Sequence, residues 1–281
     1  INSEDYGLYS HAARHAARFG RDSLAVADYD LNSTLYMIGE SSMHAYTSNS
    51  SLQGWWRLNT DVSTHGDVAD SSGNGRPGTF DALDDRPGIS RETPSNKIQV
   101  STCEFDGTSD RVNIGAGATW DAIIGNNTGG GSTQLMTFAA WIYIDEAAAG
   151  TSNRIIQFGT NPGVGLNMHE TSLYFELFTW WSTSGYVDWQ TDNNVLTKGK
   201  WHHIAATYDG SSTANNAKIY LDGVLISAAA SETRVGTWNG IDSTDCYIAA
   251  SAADNDWFEG SIGDVAVWNS ILSSNEVRSI Y

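Results

Sequence analysis

Lys200–Gly223 reads KWHHIAATYDGSSTANNAKIYLDG. Trp201 to Tyr208 is dense in aromatic and β-branched residues, the composition of a strand. Ala217 to Leu221 is a second, shorter apolar run, and the segment between them, Asp209 to Asn216, is turn chemistry throughout. Asp222-Gly223 then makes a tight turn, where glycine takes positive φ without steric cost. Strands this close in sequence leave no room for a crossover helix, so the pair is antiparallel.

Strand patterns recur on both sides of this hairpin. Leu135 to Ile144, LMTFAAWIYI, is almost continuously apolar and reads as a strand covered on both faces. Arg154 to Gly159, Gly165 to His169, Leu173 to Trp181 and Gly185 to Gln190 are further candidates upstream. Thr233 to Trp238, Asp245 to Ala249 and Ile262 to Trp268 follow downstream. Nearer the start, Leu52 to Leu58, Lys97 to Phe105 and Arg111 to Ile114 read as strands, and Thr119 to Ile124 as a turn of helix. Thr60 to Gly78, Arg86 to Asn96 and Gly125 to Ser132 read as loops. Ser273-Ser-Asn-Glu276 is an N-cap signal for a short closing helix that runs to Tyr281. Many short strands without a long periodic helix predict an all-β, two-sheet antiparallel sandwich of the jelly-roll kind.

Several of these pieces carry a family resemblance. Trp201-His-His-Ile-Ala-Ala-Thr-Tyr-Asp-Gly210, followed by Lys218-Ile-Tyr-Leu-Asp-Gly-Val224, resembles the LamG-like jelly roll of the concanavalin A-like lectin/glucanase superfamily. Gly54-Trp-Trp-Arg-Leu58, Asp70-Ser-Ser-Gly-Asn-Gly75, Glu104-Phe-Asp-Gly107, Phe258 to Trp268 and Leu272 to Val277 complete the set in the family's order, over residues 52–281. The resemblance implies the fold. It also implies a structural calcium site, with Asp70, Asn74 and Asp264 as candidate ligands, because calcium takes hard oxygen donors in a flexible frame. Gly263-Asp264 stands where relatives often carry two acids, so one donor is missing. The competing reading is an Asx turn that caps its own backbone.

Residues 1–51 stand outside this pattern. His11 to Arg18 is Ala-rich and makes about two helical turns, too short to hold in water unless it docks. Leu24, Val26, Tyr29, Leu31, Leu35, Tyr36 and Met37 are too apolar a set for a purely solvating tail, and Gly39 to Ser51 reads as a linker. The arm is therefore expected to tether the domain to a neighbouring subunit or larger assembly.

Composition narrows the function. The 281 residues carry a net charge of −18, so there is no basic patch to neutralise phosphates, and nucleic-acid binding is excluded. No apolar run reaches the roughly 18 residues of a membrane span, so no membrane insertion is expected. Cys103 and Cys246 lack metal-ligand spacing. They are either a disulfide between two strands or two core thiols.

Catalysis has little to stand on. Glycosidases need two carboxyls on one face, which a strand supplies as Glu-x-Asp-x-Glu, and no such run occurs. Glu176 stands alone on its strand, Asp145-Glu146 sits at a strand end, and Asp254, Asp256 and Glu259 fall in a loop. His202 and His203 are neighbours on a strand and point to opposite faces, with no Gly-x-Ser-x-Gly elbow to pair with. A non-enzymatic role is expected.

The aromatic cluster is the candidate glycan site. Alternation along Leu173 to Trp181 puts Tyr174, Glu176, Phe178 and Trp180 on one face and Leu173, Phe175, Leu177 and Thr179 on the other. Trp181, Tyr186, Asp188 and Trp189 are near enough in sequence to join the first set. The alternative is that these rings bury one another between the sheets. Two functions follow. The first is a structural or adhesive protein displaying the jelly roll on an extracellular or virion assembly of the phage-like kind, as part of an oligomer. The second is a stand-alone lectin-like carbohydrate-binding module, with or without calcium. The long, partly apolar arm favours the first. Glycoside hydrolase or polysaccharide lyase activity stands behind both.

Overall fold

Leu135–Ile144 (β5) lies at the middle of a sheet, between Trp201–Asp209 (β10) and Glu259–Trp268 (β15), antiparallel to both. The computed structural model describes residues 46, 49–59, 68–80, 88–90, 102–125, 134–150, 153–251 and 256–281. The expected arm therefore lies outside the described residues, apart from Tyr46 and residues 49–51.

The remaining elements are Leu52–Trp56 (β1), Gly88–Ser90 (β2), Thr102–Asp106 (β3), Val112–Ala116 (β4), Gly117–Ile124 (α1), Asn153–Gly159 (β6), Gly163–His169 (β7), Tyr174–Trp181 (β8), Gly185–Thr191 (β9), Lys218–Leu221 (β11), Val224–Ile226 (β12), Ala228–Ala230 (β13), Asp245–Ile248 (β14) and Ser274–Ile280 (α2). Among the described residues, the first sheet has eight strands in the order β12-β11-β10-β5-β15-β3-β2, with β1 also on β15. The second has seven, in the order β13-β9-β8-β7-β6-β14-β4. All the strand pairs are antiparallel, and the two sheets form a sandwich.

The expected hairpin is present. Ile204 pairs with Leu221 and Thr207 with Lys218. Asp222 and Gly223 both have positive φ, 48° and 74°, the pair of values a two-residue type I′ turn requires. The turn leads into β12, which the sequence reading took no further than the turn itself.

The inward residues of the two sheets form one core. Phe138, Ile142, Ile204, Tyr208, Ile262 and Val267 come from the first sheet. Phe158, Leu166, Phe175, Leu177, Val187 and Ile248 meet them from the second. β5 is covered on its other face too. There Ala139, Ala205, Ala266 and Trp268 lie under Tyr46, Leu272, Val277 and Ile280. The small alanines leave room for α2 to approach the sheet closely. Ser273 caps α2 through a full capping box with Glu276, as the Ser-Ser-Asn-Glu signal predicted.

Tyr46 and residues 49–51, read from the sequence as linker, pack against this outer layer. The Tyr46 ring stacks on Trp55 at 4.7 Å between centroids and on Trp268 at 5.7 Å. Asn269 N–H donates to the Ser51 carbonyl over 3.0 Å.

One strand expectation needs correction, and the cysteine alternative is decided. Thr233 to Trp238 is not a strand; it is irregular, with Gly236 at φ 94° and a single bridge from Trp238 to Trp181. The edge position is taken instead by Ala228–Ala230, three alanines that carry no strand pattern. Cys103 and Cys246 are buried free thiols rather than a disulfide. They sit on β3 and β14, strands of opposite sheets. Burial pushes the Cys103 thiol up to about 12 and raises Cys246 further.

Candidate functional site

The outer face of the second sheet holds the candidate site. On β8, Phe175, Leu177 and Trp181 point into the core, so Tyr174, Glu176, Phe178 and Trp180 point away from it. On β9 the same alternation sends Val187 and Trp189 inward and Tyr186, Asp188 and Gln190 outward. Register then fixes the neighbours: Trp180 is opposite Tyr186, Phe178 opposite Asp188 and Glu176 opposite Gln190. On the other side of β8, Asn167 is opposite Glu176 and His169 opposite Tyr174.

Of the seven residues that the sequence offered as glycan contacts, five share this face: Tyr174, Glu176, Trp180, Tyr186 and Asp188. Trp181 and Trp189 do not. They are 2% and 1% exposed and lie between the sheets. Each is one residue out of phase with the outward set, and one step along a strand reverses the face. Their indoles are satisfied there, Trp181 Nε1 on Thr179 Oγ1 and Trp189 Nε1 on Asn216 Oδ1, both at 3.2 Å.

The polar centre of the face is Glu176, only 3% exposed. Its Oε1 accepts from Asn167 Nδ2 at 2.9 Å and from the Tyr186 hydroxyl at 2.8 Å. Burial and the nearby Glu176 charge push the Tyr186 hydroxyl far above the ordinary tyrosine value, so it stays a donor. Tyr174 is raised to about 12, first by burial and then by Glu176 and Asp188. Asp188 is also raised, by burial and by Glu176, which marks the two carboxylates as electrostatic neighbours. Its Oδ1 is buried without a hydrogen-bond partner, while Ser231 lies beside it.

The rings are arranged around these oxygens. Tyr174 stacks on His169 at 4.1 Å. Trp180 meets Tyr186 edge-on at 4.9 Å, and Tyr186 stacks on Phe178 at 5.8 Å. Tyr174, Trp180 and Tyr186 are each half-buried, so part of every ring faces solvent. The Arg154 guanidinium covers Phe178 at 4.7 Å. It is held there by Asp256 at 3.2 Å and by Gln157, which accepts from its Nε at 2.7 Å. Burial, and secondarily Arg154, lowers the His169 pKa and favours its neutral form. The sequence reading missed Asn167, His169, Arg154 and Asp256. Asn167 and His169 share a parity on their strand, but only the register with β8 brings them to Glu176 and Tyr174.

The candidate calcium ligands gather around Trp55 without making an ion site. Asp70 Oδ1 accepts from Trp55 N and Ser72 N, at 3.0 and 2.9 Å. Its Oδ2 accepts from Ser72 Oγ and Arg76 N, at 2.8 and 3.0 Å. Asn74 points its NH2 group at the Leu52 carbonyl, 2.8 Å away. Asp264 Oδ1 accepts from the Trp55 indole at 3.0 Å and lies 3.8 Å from Arg57 Nε. Asp264 stands in a bulge of β15 at φ 48°, which turns its side chain toward β1. A cation would have to displace N–H donors and sit among guanidinium groups, so these residues as arranged do not fit calcium. Among the described residues, no group of three or more His, Cys, Asp and Glu is placed to hold a metal.

The histidine pair is also structural. His202 faces the core side and links Asp222 Oδ2 through Nδ1 at 3.1 Å, while its Nε2 accepts from Thr197 N–H at 3.1 Å. His203 faces the other way, with Trp141 at 5.3 Å and Tyr281 at 6.0 Å. A cavity of about 330 Å³ between residues 49–50 and α2 lies on the opposite sheet. Its one carboxylate, Glu276, is engaged in capping α2.

The family model of the concanavalin A-like lectin/glucanases superfamily matches residues 106–278. No curated protein matches the chain. Among solved structures, domain 4 of AbnA, a GH43 extracellular arabinanase from Geobacillus stearothermophilus in complex with arabinotriose, is similar. Its TM-score is 0.55 at 18% identity, over 82% of this chain and 98% of that one. Trypanosoma rangeli sialidase gives a TM-score of 0.56 at 13% identity over 89% of this chain, which spans 38% of the sialidase. The binding domain of botulinum neurotoxin DC, solved in complex with SialylT, gives 0.52 at 12% identity, over 82% of this chain and 50% of that one. At these identities the likeness is one of fold, which the superfamily puts to both enzymatic and binding use. With more than half its length matched by the family model, this chain belongs to the concanavalin A-like lectin/glucanases superfamily.

Proposed function

We propose that the chain is a carbohydrate-binding module, acting outside the cell, that holds a glycan on the outer face of its second sheet and breaks no bond. One observation carries this reading. Half-exposed rings of Tyr174, Trp180 and Tyr186 stand beside the buried, hydrogen-bonded Glu176 on a single sheet face. Pyranose rings present apolar C–H faces that stack on aromatic rings, and their hydroxyls donate to carboxylates held in place. The arabinotriose in the arabinanase domain and the SialylT in the neurotoxin domain support it, as ligands of proteins with this fold.

A glycan array followed by calorimetry tests the proposal. Trp180→Ala is expected to abolish binding with the melting temperature nearly unchanged. Binding indifferent to Trp180→Ala would sink it.

Display on an extracellular or virion assembly is a setting compatible with this activity. The stacking of Tyr46 on Trp55 favours it, since that residue ahead of β1 is seated on the domain. Light scattering of the full chain against a version starting at Tyr46 tests that setting. A monomer in both cases would argue against the arm as a tether.

A further inference from the structure

We infer that this face selects uncharged sugars and rejects carboxylated and sulfated ones; the inference rests on the carbohydrate-binding reading and names the ligand class of the same site. Consider the fixed charges a ligand would meet. Glu176 is almost fully buried, and the side chains that donate to it, Asn167 and Tyr186, are both neutral. Asp188 lies one diagonal step away across β8 and β9, since its direct partner is Phe178. It has a buried carboxylate oxygen that no protein donor meets. Two carboxylates therefore flank the rings.

The cations on this face do not offset them. Arg154 is committed to Asp256 and Gln157 and lies flat over Phe178. His169, stacked on Tyr174, is shifted toward its neutral form by burial and by Arg154. Arg111 is farther across the sheet, over Tyr247 and Trp257 at 4.5 and 5.6 Å. A sialyl, uronyl or sulfate group placed on Tyr174, Trp180 or Tyr186 would approach Glu176 and Asp188 with like charge, in a partly desolvated setting where repulsion is poorly screened. A neutral sugar brings hydroxyls and no charge, so it meets no such repulsion.

The experiment uses the full chain and an array carrying the same oligosaccharide cores in uncharged, sialylated and sulfated forms, with affinities then taken by calorimetry. Binding is expected on uncharged members, at least about tenfold tighter than on their charged counterparts. Trp180→Ala should remove it. Asp188→Asn, an isosteric change that removes one charge, should narrow the gap by about tenfold while the melting temperature confirms the fold. Trp180-dependent binding with equal or better affinity for the charged members overturns this inference and leaves the carbohydrate-binding reading standing. Absence of any Trp180-dependent binding overturns both.

Discussion

The Tyr186 hydroxyl donates to Glu176 Oε1 across neighbouring strands at 2.8 Å, and Asn167 reaches the same oxygen from the other side at 2.9 Å. A buried carboxylate without such donors would carry a large desolvation cost. The pair thus fixes the one polar group at the centre of the aromatic face. Tyr186→Phe keeps the ring and removes the donor. It is expected to lower stability by about 1–2 kcal/mol, read from chemical denaturation, and to weaken glycan binding. A variant as stable as the parent would mean that Glu176 is satisfied by other means.

The Asp70 carboxylate gives a second prediction, because it collects four donors from β1 and its own loop. Asp70→Ala leaves Trp55 N, Ser72 N and Arg76 N without this acceptor, and is expected to cost about 1–3 kcal/mol whether or not calcium is present. Added calcium or a chelator should leave the parent's melting temperature unchanged. A rise with calcium that disappears in Asp70→Ala would show that the loop rearranges into an ion site.

Acid sensitivity follows from Asp222. Burial alone would raise its pKa, but the hydrogen bonds from His202 and from the His203 backbone N–H together outweigh burial, so the carboxyl is held below its ordinary 3.8. Asp242 and Glu276 are lowered as well, by backbone and side-chain donors. A carboxyl with a depressed folded-state pKa contributes stability above its unfolded pKa and loses it as pH falls through the folded value. The melting temperature should therefore fall below about pH 4. Asp222→Asn should melt lower at neutral pH and decline less steeply on the acid side. Equal acid slopes in the two proteins would remove Asp222 from the account.

How much of this was legible in the sequence depends on which interaction fixes each part. Leu135–Ile144 and the Trp201–Leu221 hairpin were legible because apolar runs and turn residues are local signals. The α2 cap was legible for the same reason. β13 was not, since Ala228–Ala230 has no strand propensity and is a strand only because β9 is beside it. The site divides in the same way. Parity along β8 placed Tyr174, Glu176 and Trp180 on one face. The partners Asn167, Arg154 and Asp256 are set by register and by a distant loop, which no single stretch of sequence encodes.

The contrast between adjacent tryptophans on β8 makes the sharpest test of that parity. Trp180 is half-buried on the outer face, against Tyr186 and Phe178. Trp181 is 2% exposed among the core residues, with its indole on Thr179 Oγ1. Truncating Trp181 leaves a large cavity between the sheets, and Trp181→Ala is expected to cost about 3–5 kcal/mol. Trp180→Ala removes a partly solvated ring and should cost about 1 kcal/mol or less, yet it is the variant expected to lose glycan binding. Denaturation curves on the two proteins, with binding measured on whichever remains folded, decide the matter. If Trp180→Ala unfolds the domain as readily as Trp181→Ala, the outer face is part of the core and the aromatic surface proposed for sugars is lost with it.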